Sequence, residues 1–136
     1  MPSVDGKPLV LFVCGDNAGR SQMAEAFLRR FAGNDLEIAS AGLFAADHLD
    51  AVVVAAMAEM NMDLSAVRPK LLDPAIVARA DRIIAMGGDV AGLPRVDDDW
   101  GLPDPKGQPL ERVREIRDLA CHKAGELAGE LAALGK

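Results

Sequence analysis

Tyrosine is absent from this chain of 136 residues, cysteine occurs only twice, and no hydrophobic run is long. The longest apolar stretch, residues 51–60, is interrupted by Glu59 and is far too short to cross a bilayer, so we expect no membrane partner. The first residues lack the basic start and apolar stretch of a secretory signal, which indicates the cytoplasm. In that reducing compartment Cys14 and Cys121 are expected to remain thiols.

Positive charge is in the minority, since 15 Lys and Arg residues stand against 21 Asp and Glu residues and the net charge is −6. Such a surface repels polyanions, which argues against a nucleic-acid partner and requires any anion site to be local. Apolar residues make up 50% of the chain and charged residues 26%, a balance typical of a globular protein. The length is that of one domain, and we predict a single domain over residues 1–136.

The sequence opens with the pattern of a strand followed by a helix. Residues 8–13 are a continuous β-favouring apolar run that ends at Cys14, as expected of a strand covered on both faces of a parallel sheet. Two glycines, Gly15 and Gly19, follow in a predicted loop. Beyond the loop, apolar side chains recur on one helical face: Met23, Ala24, Phe27, Leu28 and Phe31.

Strand and helix patterns continue to alternate after this first helix. Residues 36–39 predict a short strand closed by Ser40-Ala41-Gly42, and residues 50–60 predict a helix with Asp50 as its N-cap. Residues 73–74, an Asp-Pro pair, mark the start of another helix, and residues 82–86 predict a third strand.

The third strand is followed by a glycine pair and then by residues 89–109, which are rich in Gly, Pro and Asp and are predicted to be loop. The last helix carries one apolar stripe: Leu110, Val113, Ile116, Ala120, Ala124, Leu127, Leu131 and Leu134. The βαβα order predicts an α/β fold, with an open parallel sheet flanked by helices on both faces. In such sheets ligands lie beyond the carboxyl ends of the strands, so the loops after Val13, Ala39 and Met86 are the expected place for a site.

The segment from Cys14 to Ser21 joins the first strand to the first helix with the spacing C-x5-R-S. Its backbone N–H groups can surround an anion at a helix N-terminus, and the predicted substrate-binding residues are Gly15, Asp16, Asn17, Ala18, Gly19, Arg20 and Ser21. The helix end and the Arg20 guanidinium favour the thiolate of Cys14, and Arg20 can donate two N–H groups to a tetrahedral oxyanion. The alternative is an inert buried thiol beside a solvated arginine.

Chemistry at this loop also needs a general acid that protonates the leaving oxygen and arrives on another loop. Asp104 is the candidate, because Pro105 restrains its backbone within the segment before the last helix. On spacing alone, an ordinary Asp-Pro turn accounts for this pair at least as well.

Three separated segments resemble those of the arsenate reductases that have the low-molecular-weight tyrosine phosphatase fold. They are residues 10–25, which read VLFVCGDNAGRSQMAE, residues 40–42, which read SAG, and residues 100–105, which read WGLPDP. The resemblance covers nearly the whole chain and implies that the open parallel sheet has four strands. It implies that Cys14 is the nucleophile, that Arg20 binds the oxyanion, that Asn17 and Ser21 shape the loop, and that Asp104 is the general acid.

Two details of the resemblance favour a reductase over a phosphatase. Gln22-Met23 follows the arginine and serine as in the reductases, whereas the phosphatases usually have proline in place of Gln22. Tyrosine phosphatases of this fold follow the Asp-Pro pair with an aromatic residue that packs a substrate ring, and Lys106-Gly107 provides none. We therefore expect thiol-dependent reduction of arsenate, with phosphate as a related oxyanion. The alternatives are a phosphatase acting on phosphotyrosine or small phosphoesters, and an oxyanion-binding regulator or phosphocysteine carrier.

The second thiol that completes reduction is missing from the positions where relatives carry one. Thioredoxin-coupled relatives have a cysteine pair after the strand that here ends at Met86, and others have a second cysteine where Gly19 stands. Cys121 lies at the edge of the last helix's apolar stripe, where packing is its expected role. The resemblance implies a single-cysteine enzyme with no bound cofactor or metal, which uses an external thiol such as mycothiol and a redoxin partner.

Two positions depart from the family pattern. Asp16 stands where relatives usually have glycine, and we expect its side chain to face solvent. Some relatives hold a potassium ion with residues that match Asn17, Glu25, Ser40 and an aspartate aligned with Lys70. We hypothesise that the Lys70 ammonium replaces this ion, and an ordinary surface lysine is the alternative.

Overall fold

The computed structural model describes residues 7–88 and 93–134. Strands and helices alternate along most of the chain. The elements are β1 (Leu9–Cys14), α1 (Arg20–Ala32), β2 (Glu37–Gly42), α2 (Ala51–Ala58), α3 (Pro74–Arg79), β3 (Arg82–Ala85), β4 (Asp98–Asp99) and α4 (Leu110–Leu134). Among the described helices, none is both long and apolar enough to cross a membrane.

The four strands form one parallel sheet in the order β2-β1-β3-β4. β1 lies at the centre, with Cys14 paired to Gly42 of β2 and Val13 paired to Ala85 of β3. Every residue of β1 is buried, which is why its sequence is apolar without alternation. The predicted four-stranded parallel sheet is confirmed.

The two faces of β1 point into two separate cores, and helices cover both. Val10, Phe12 and Cys14 belong to the larger core, together with side chains of α1, α2 and α4. Leu11 and Val13 belong to the smaller core, which α3 covers with Val77. The helices on both faces therefore agree with the predicted architecture, and the sulfur of Cys14 lies on the side of α1.

Several strand boundaries differ from the predictions, because hydrogen bonding between neighbouring strands decides where a strand ends more than the local sequence pattern does. β2 continues through Gly42, beyond its predicted end at residue 39. Residues 40–42 pair with β1, and Gly42 also forms a bridge with Leu71. β4 lies in the predicted loop, where Ile84 pairs with Asp98 in the sheet. Part of that predicted loop, residues 89–92, lies outside the described residues.

The predicted helix ends are mostly confirmed. Asp73 accepts a hydrogen bond from the amide of Ala75 at 2.9 Å and caps α3, as expected of an Asp-Pro start. Asp50 occupies the N-cap position of α2, but its side chain makes no capping hydrogen bond. Phe31 was predicted on the buried face of α1, yet it is 47% exposed and its ring lies beside Gly125 of α4.

Candidate active site

The loop between Cys14 and α1 directs its carbonyl groups away from its own centre. The carbonyls of Gly15, Asp16 and Ala18 accept hydrogen bonds from the amides of Phe44, Ala46 and Asp50, at 3.0, 3.2 and 3.0 Å. A planar trans peptide places its N–H opposite its C=O. The amides that follow these carbonyls therefore face inward, which is the arrangement of an anion-binding nest.

The sulfur of Cys14 lies inside this ring of amides. The amide of Asn17 donates to Sγ at 3.2 Å, and Oγ of Ser21 lies 2.8 Å from Sγ. Cys14 is 1% exposed, and its position at the end of β1 fixes the sulfur relative to the loop. The Asn17 amide is a donor to the sulfur, and in the contact with Ser21 either atom can be the donor.

Two backbone features allow the loop to close this tightly. Asn17 has φ of 56°, a left-handed conformation that asparagine tolerates better than most residues. Gly42 lies against the loop, because a Cβ atom there would sit 2.8 Å from the carbonyl oxygen of Gly15 and 2.9 Å from the amide of Asn17. The glycine of the Ser-Ala-Gly segment thus leaves room for the loop.

A buried polar network supports the loop from below; we call its members, Asn17, Ser21, Gln22 and Ser40, the floor. Nδ2 of Asn17 donates to Oγ of Ser21 at 2.8 Å and to Oγ of Ser40 at 3.0 Å. Oδ1 of Asn17 accepts from Nε2 of Gln22 and from the amide of Lys70, both at 2.8 Å. Asn17 is fully buried, and its amide uses both donors and both lone pairs.

The floor also contacts the carboxylate of Glu25, which lies near the ammonium of Lys70. Oγ of Ser40 donates to Oε1 of Glu25 at 2.5 Å, and Nζ of Lys70 lies 3.7 Å from the same oxygen. The other oxygen of Glu25 pairs with Arg29. An ammonium therefore stands next to the residues that match the potassium ligands of some relatives, and the replacement of that ion by Lys70 stays a prediction.

Arg20 extends from the first residue of α1 toward the loops that follow β3 and β4. Its Nη1 donates to the carbonyls of Met86 at 3.3 Å and Leu102 at 3.0 Å. Nη1 makes both of these bonds, and neither of them engages Nε or Nη2. A Cβ atom on Gly87 would lie 3.4 Å from Nη1, and φ of Gly87 is 100°, so glycine suits this position on both counts.

Four charged residues surround the opening of the loop; we call Asp16, Asp50, Asp104 and Lys106 the rim. Nζ of Lys106 lies 3.2 Å from Oδ2 of Asp16 and 3.8 Å from Oδ1 of Asp50. The amide of Lys106 donates to Oδ1 of Asp104 at 3.0 Å, and Asp104 is exposed. Burial raises the pKa of Asp50, Asp16 and Asp104 raise it further, and Lys106 opposes them.

Asp16 lies at the surface, as expected, but its carboxylate also contacts its own loop. Its side chain is 23% exposed, and while one oxygen pairs with Lys106, Oδ1 accepts the amide of Ala18 at 3.2 Å. The carboxylate folds back onto its own loop because the Ala18 amide and the Lys106 ammonium both attract it. Sequence reasoning missed Lys106 and Asp50, since neither lies in a recognisable motif.

An aromatic side chain also borders the loop, although none follows the Asp-Pro pair. Phe44 is 62% exposed, and its ring carbons lie 3.7 and 3.9 Å from where a Cβ atom on Gly15 would be. Its own backbone is held by the bond to the carbonyl of Gly15. An exposed aromatic ring therefore borders the loop, but it comes from the segment after β2 and not from the one after the Asp-Pro pair.

Cys121 is partly buried on α4 and packs against the larger core. Burial and the neighbouring Asp118 raise the pKa of its thiol. The positive charge of Arg30, in the last turn of α1, opposes this rise, so the thiol lies near that end of α1. Arg30 is ten residues beyond Arg20, about 15 Å along the helix axis. Both observations fit the predicted packing role of Cys121. Among the described residues, no three His, Cys, Asp or Glu side chains form a candidate metal site.

Comparison with known proteins agrees with the fold. The chain belongs to the low molecular weight phosphotyrosine protein phosphatase family, whose model matches residues 9–96. Within that family it is similar to a putative arsenate reductase of Halobacterium salinarum, with 40% identity over 124 residues that cover 85% of this chain and 87% of the relative. The recognition of the family from the sequence is thereby confirmed.

Solved arsenate reductases have the same fold. A structure described as an arsenate reductase in the phosphate binding state has a TM-score of 0.81 and 29% identity, and the match covers 90% of this chain and 98% of the other. A thioredoxin-dependent arsenate reductase of Corynebacterium glutamicum has a TM-score of 0.79 and 32% identity, with 98% of this chain and 66% of the other covered.

Proposed function

We propose that this protein is an arsenate reductase in which the Cys14 thiolate attacks arsenate held in the loop of residues 14–21. The observation that carries the proposal is the position of Sγ, which contacts the amide of Asn17 and Oγ of Ser21 inside a ring of inward-facing amides. The similarity to arsenate reductases selects arsenate among tetrahedral oxyanions. Arg20 binds the oxyanion through Nε and Nη2, and Asp104 acts as the general acid.

The first step forms a bond between sulfur and arsenic. The thiolate displaces one arsenate oxygen, which leaves as water after taking a proton from Asp104. Negative charge on the remaining oxygens is stabilised by the loop amides and by Arg20, which are already oriented before the reaction. Arsenic remains in the +5 state in this adduct, and no electron has yet been transferred.

The second step needs two electrons, which a thiol from outside the chain provides. The external thiol attacks Sγ, the sulfur–arsenic bond breaks, and its electron pair reduces arsenic to the +3 state as arsenite. A mixed disulfide between Cys14 and the external thiol remains, and a redoxin reduces it. Cys121 does not serve this step because it packs on α4, away from the loop. We propose mycothiol or a similar small thiol as the donor, in the cytoplasm, where such thiols are kept reduced.

The second candidate function is a phosphatase, and one observation favours it. Phe44 presents an exposed ring beside Gly15, where the aryl group of a phosphoester can pack. The same nucleophile, arginine and general acid serve phosphoester hydrolysis, with water in place of the external thiol. The family of this chain takes its description from phosphotyrosine phosphatases, so this activity needs a direct comparison.

The deciding experiment compares two activities of the purified protein. The first is arsenite formation from arsenate with three reducing systems: mycothiol and a mycoredoxin, glutathione and a glutaredoxin, and thioredoxin. The second is hydrolysis of an aryl phosphate. We expect arsenite with a small-thiol system, little hydrolysis, and loss of both activities in Cys14→Ser. Cys121→Ser is the matched control and should keep the wild-type rate. Rapid hydrolysis without arsenite in any system would establish the phosphatase, and binding of arsenate without turnover would indicate a regulator.

A further inference from the structure

Lys106 connects two loops that are far apart in sequence. Its ammonium reaches Asp16 in the anion loop, 90 residues earlier, at 3.2 Å. Its backbone amide binds Oδ1 of Asp104 at 3.0 Å, which closes a turn around the proposed general acid. One residue therefore contacts both the loop that binds the oxyanion and the carboxyl group that would protonate the leaving oxygen.

The loop that carries Asp104 rests on the anion loop next to this ion pair. A Cβ atom on Gly19 would lie only 2.9 Å from Cγ of Pro105, so proline and glycine are in close packing. Trp100 and Leu102 anchor the preceding segment in the larger core. Pro105 supplies the contact between the two loops, and Lys106 supplies the charge.

The charges at the rim create a problem for an anionic substrate. Three carboxylates, Asp16, Asp50 and Asp104, face one ammonium, and a dianion that enters the loop must pass them. Asp16 also takes the amide of Ala18, so it competes with a substrate for the loop. The hydrogen bond to Asp16 raises the pKa of Lys106, which keeps its ammonium charged. Without that ammonium, the rim carries only negative groups.

We propose that Lys106 is a positioning residue that offsets the carboxylates of Asp16 and Asp50 at the mouth of the anion loop. The inference rests on the proposed oxyanion chemistry of Cys14 and deepens it. The ion pair between Lys106 and Asp16 contributes little to the stability of the fold, because Lys106 is 59% exposed and exposed ion pairs are weak. Its effect is on the affinity for a dianion.

Inorganic phosphate provides a test that does not depend on turnover. We expect iodoacetamide, which is small and uncharged, to alkylate Cys14, and bound phosphate to slow that reaction. Mass spectrometry of the Cys14 peptide separates it from Cys121. For Lys106→Met we expect half-protection to require about 5- to 10-fold more phosphate, as for the loss of one charge near a dianion. Lys106→Arg should remain within about 2-fold of wild type, because it keeps the charge at the rim. Lys123→Met on α4 removes the same charge elsewhere and should change nothing.

The contribution of Asp16 is tested by the double variant Asp16→Asn with Lys106→Met. Removing both charges should restore most of the phosphate affinity lost in Lys106→Met alone. In arsenate reduction, Lys106→Met should raise KM more than it lowers kcat, whereas Asp104→Asn should lower mainly kcat. Since Lys106 is exposed, its variants should fold with a melting temperature near that of wild type; a purely structural role would move the melting temperature and leave no rescue by Asp16→Asn.

The outcomes separate this inference from the function on which it rests. If phosphate does not protect Cys14 in the wild-type protein, the oxyanion site itself is refuted. If phosphate protects the wild-type protein and Lys106→Met equally, or if Asp16→Asn gives no recovery, only the role of Lys106 is refuted. Should Lys106→Met prove insoluble, Lys106→Gln removes the same charge and answers the same question.

Discussion

The floor and the rim of the anion loop are made of opposite kinds of side chain. The floor consists of neutral polar groups that are at most 3% exposed and fully hydrogen-bonded. The rim consists of charged groups at the surface, where the ammonium of Lys106 lies near several carboxylates. A neutral network can be buried at low cost when every group has a partner, whereas unequal charges must stay near water. The floor thus sets the shape of the loop, and the rim sets the charge that a ligand meets.

The largest effect is expected at Arg20, which belongs to neither group and bonds to the loops that follow β3 and β4. Arg20→Lys keeps the positive charge but loses the planar pair of donors, so kcat/KM for arsenate should fall about 100- to 1000-fold. Steady-state kinetics measures this loss. Arg112→Lys, an exposed arginine paired with Glu115 on α4, is the matched control and should keep full activity. A loss of less than about 10-fold for Arg20→Lys would show that only charge matters at this position.

Breaking the floor should cost stability as well as activity. Asn17→Ala leaves Gln22, Ser40 and the Lys70 amide without their buried partner, and we expect unfolding in urea to require about 2–3 kcal/mol less free energy. Alanine is also disfavoured at φ of 56°. Asn17→Gly removes the same side chain without that backbone cost and should lose about 1 kcal/mol less than Asn17→Ala. Equal losses would indicate that the left-handed backbone contributes nothing.

Changing the rim should have a smaller effect that depends on pH. Because burial raises the pKa of Asp50 above its ordinary value of 3.8, ionisation of this carboxyl is less favourable in the folded than in the unfolded chain. Its charge therefore destabilises the fold at neutral pH, and this penalty disappears as pH falls below the unfolded-state value. Asp50→Asn removes the charge, and no side-chain cap is lost because Asp50 makes none. Melting temperatures should be higher than wild type at pH 7 and equal to it near pH 3.

Asp50→Asn has a matched counterpart at Asp73. The Asp73 side chain caps α3 at 2.9 Å, so Asp73→Ala should lower the melting temperature at neutral pH instead of raising it. If Asp50→Asn lowers stability at pH 7 as well, the Lys106 contact outweighs burial, and the rim would be a stabilising ion-pair cluster.

The floor could be predicted from the sequence to a greater extent than the rim. Cys14, Asn17 and Ser21 lie within one contiguous segment, so a strand, a loop and a helix place them together with little freedom. The same holds for β1, which is buried throughout, and for α4, where the middle of the predicted stripe is buried: Val113, Ile116, Ala120, Ala124 and Leu127. Local spacing is sufficient wherever the contacts of a residue are made by its neighbours in sequence.

The rim depends on contacts that no local pattern encodes. Lys106 meets Asp16 only because the loop after β4 crosses the loop after β1, and the orientation of Asp16 follows from that meeting. The two-residue strand β4 is defined by its partner β3 and has no strand-forming sequence of its own. Phe44 becomes a neighbour of Gly15 for the same reason, since the end of β2 lies beside that of β1. The residues that the sequence argument missed are therefore those whose contacts are made between segments that lie far apart in sequence.

The smallest effect is expected below the floor, at Lys70. If its ammonium, 3.7 Å from Oε1 of Glu25, takes the place of a potassium ion, then exchanging potassium for sodium should leave the melting temperature and the rate of arsenate reduction unchanged. Lys70→Asp should create a dependence on potassium, because a second carboxylate next to Glu25 and the hydroxyl of Ser40 forms the oxygen-rich environment that a hard cation prefers. The Lys70 amide, which binds Asn17, is retained in this variant, so the floor stays intact. Stabilisation of the wild-type protein by potassium over sodium would contradict the replacement and would leave Lys70 as an ordinary surface lysine.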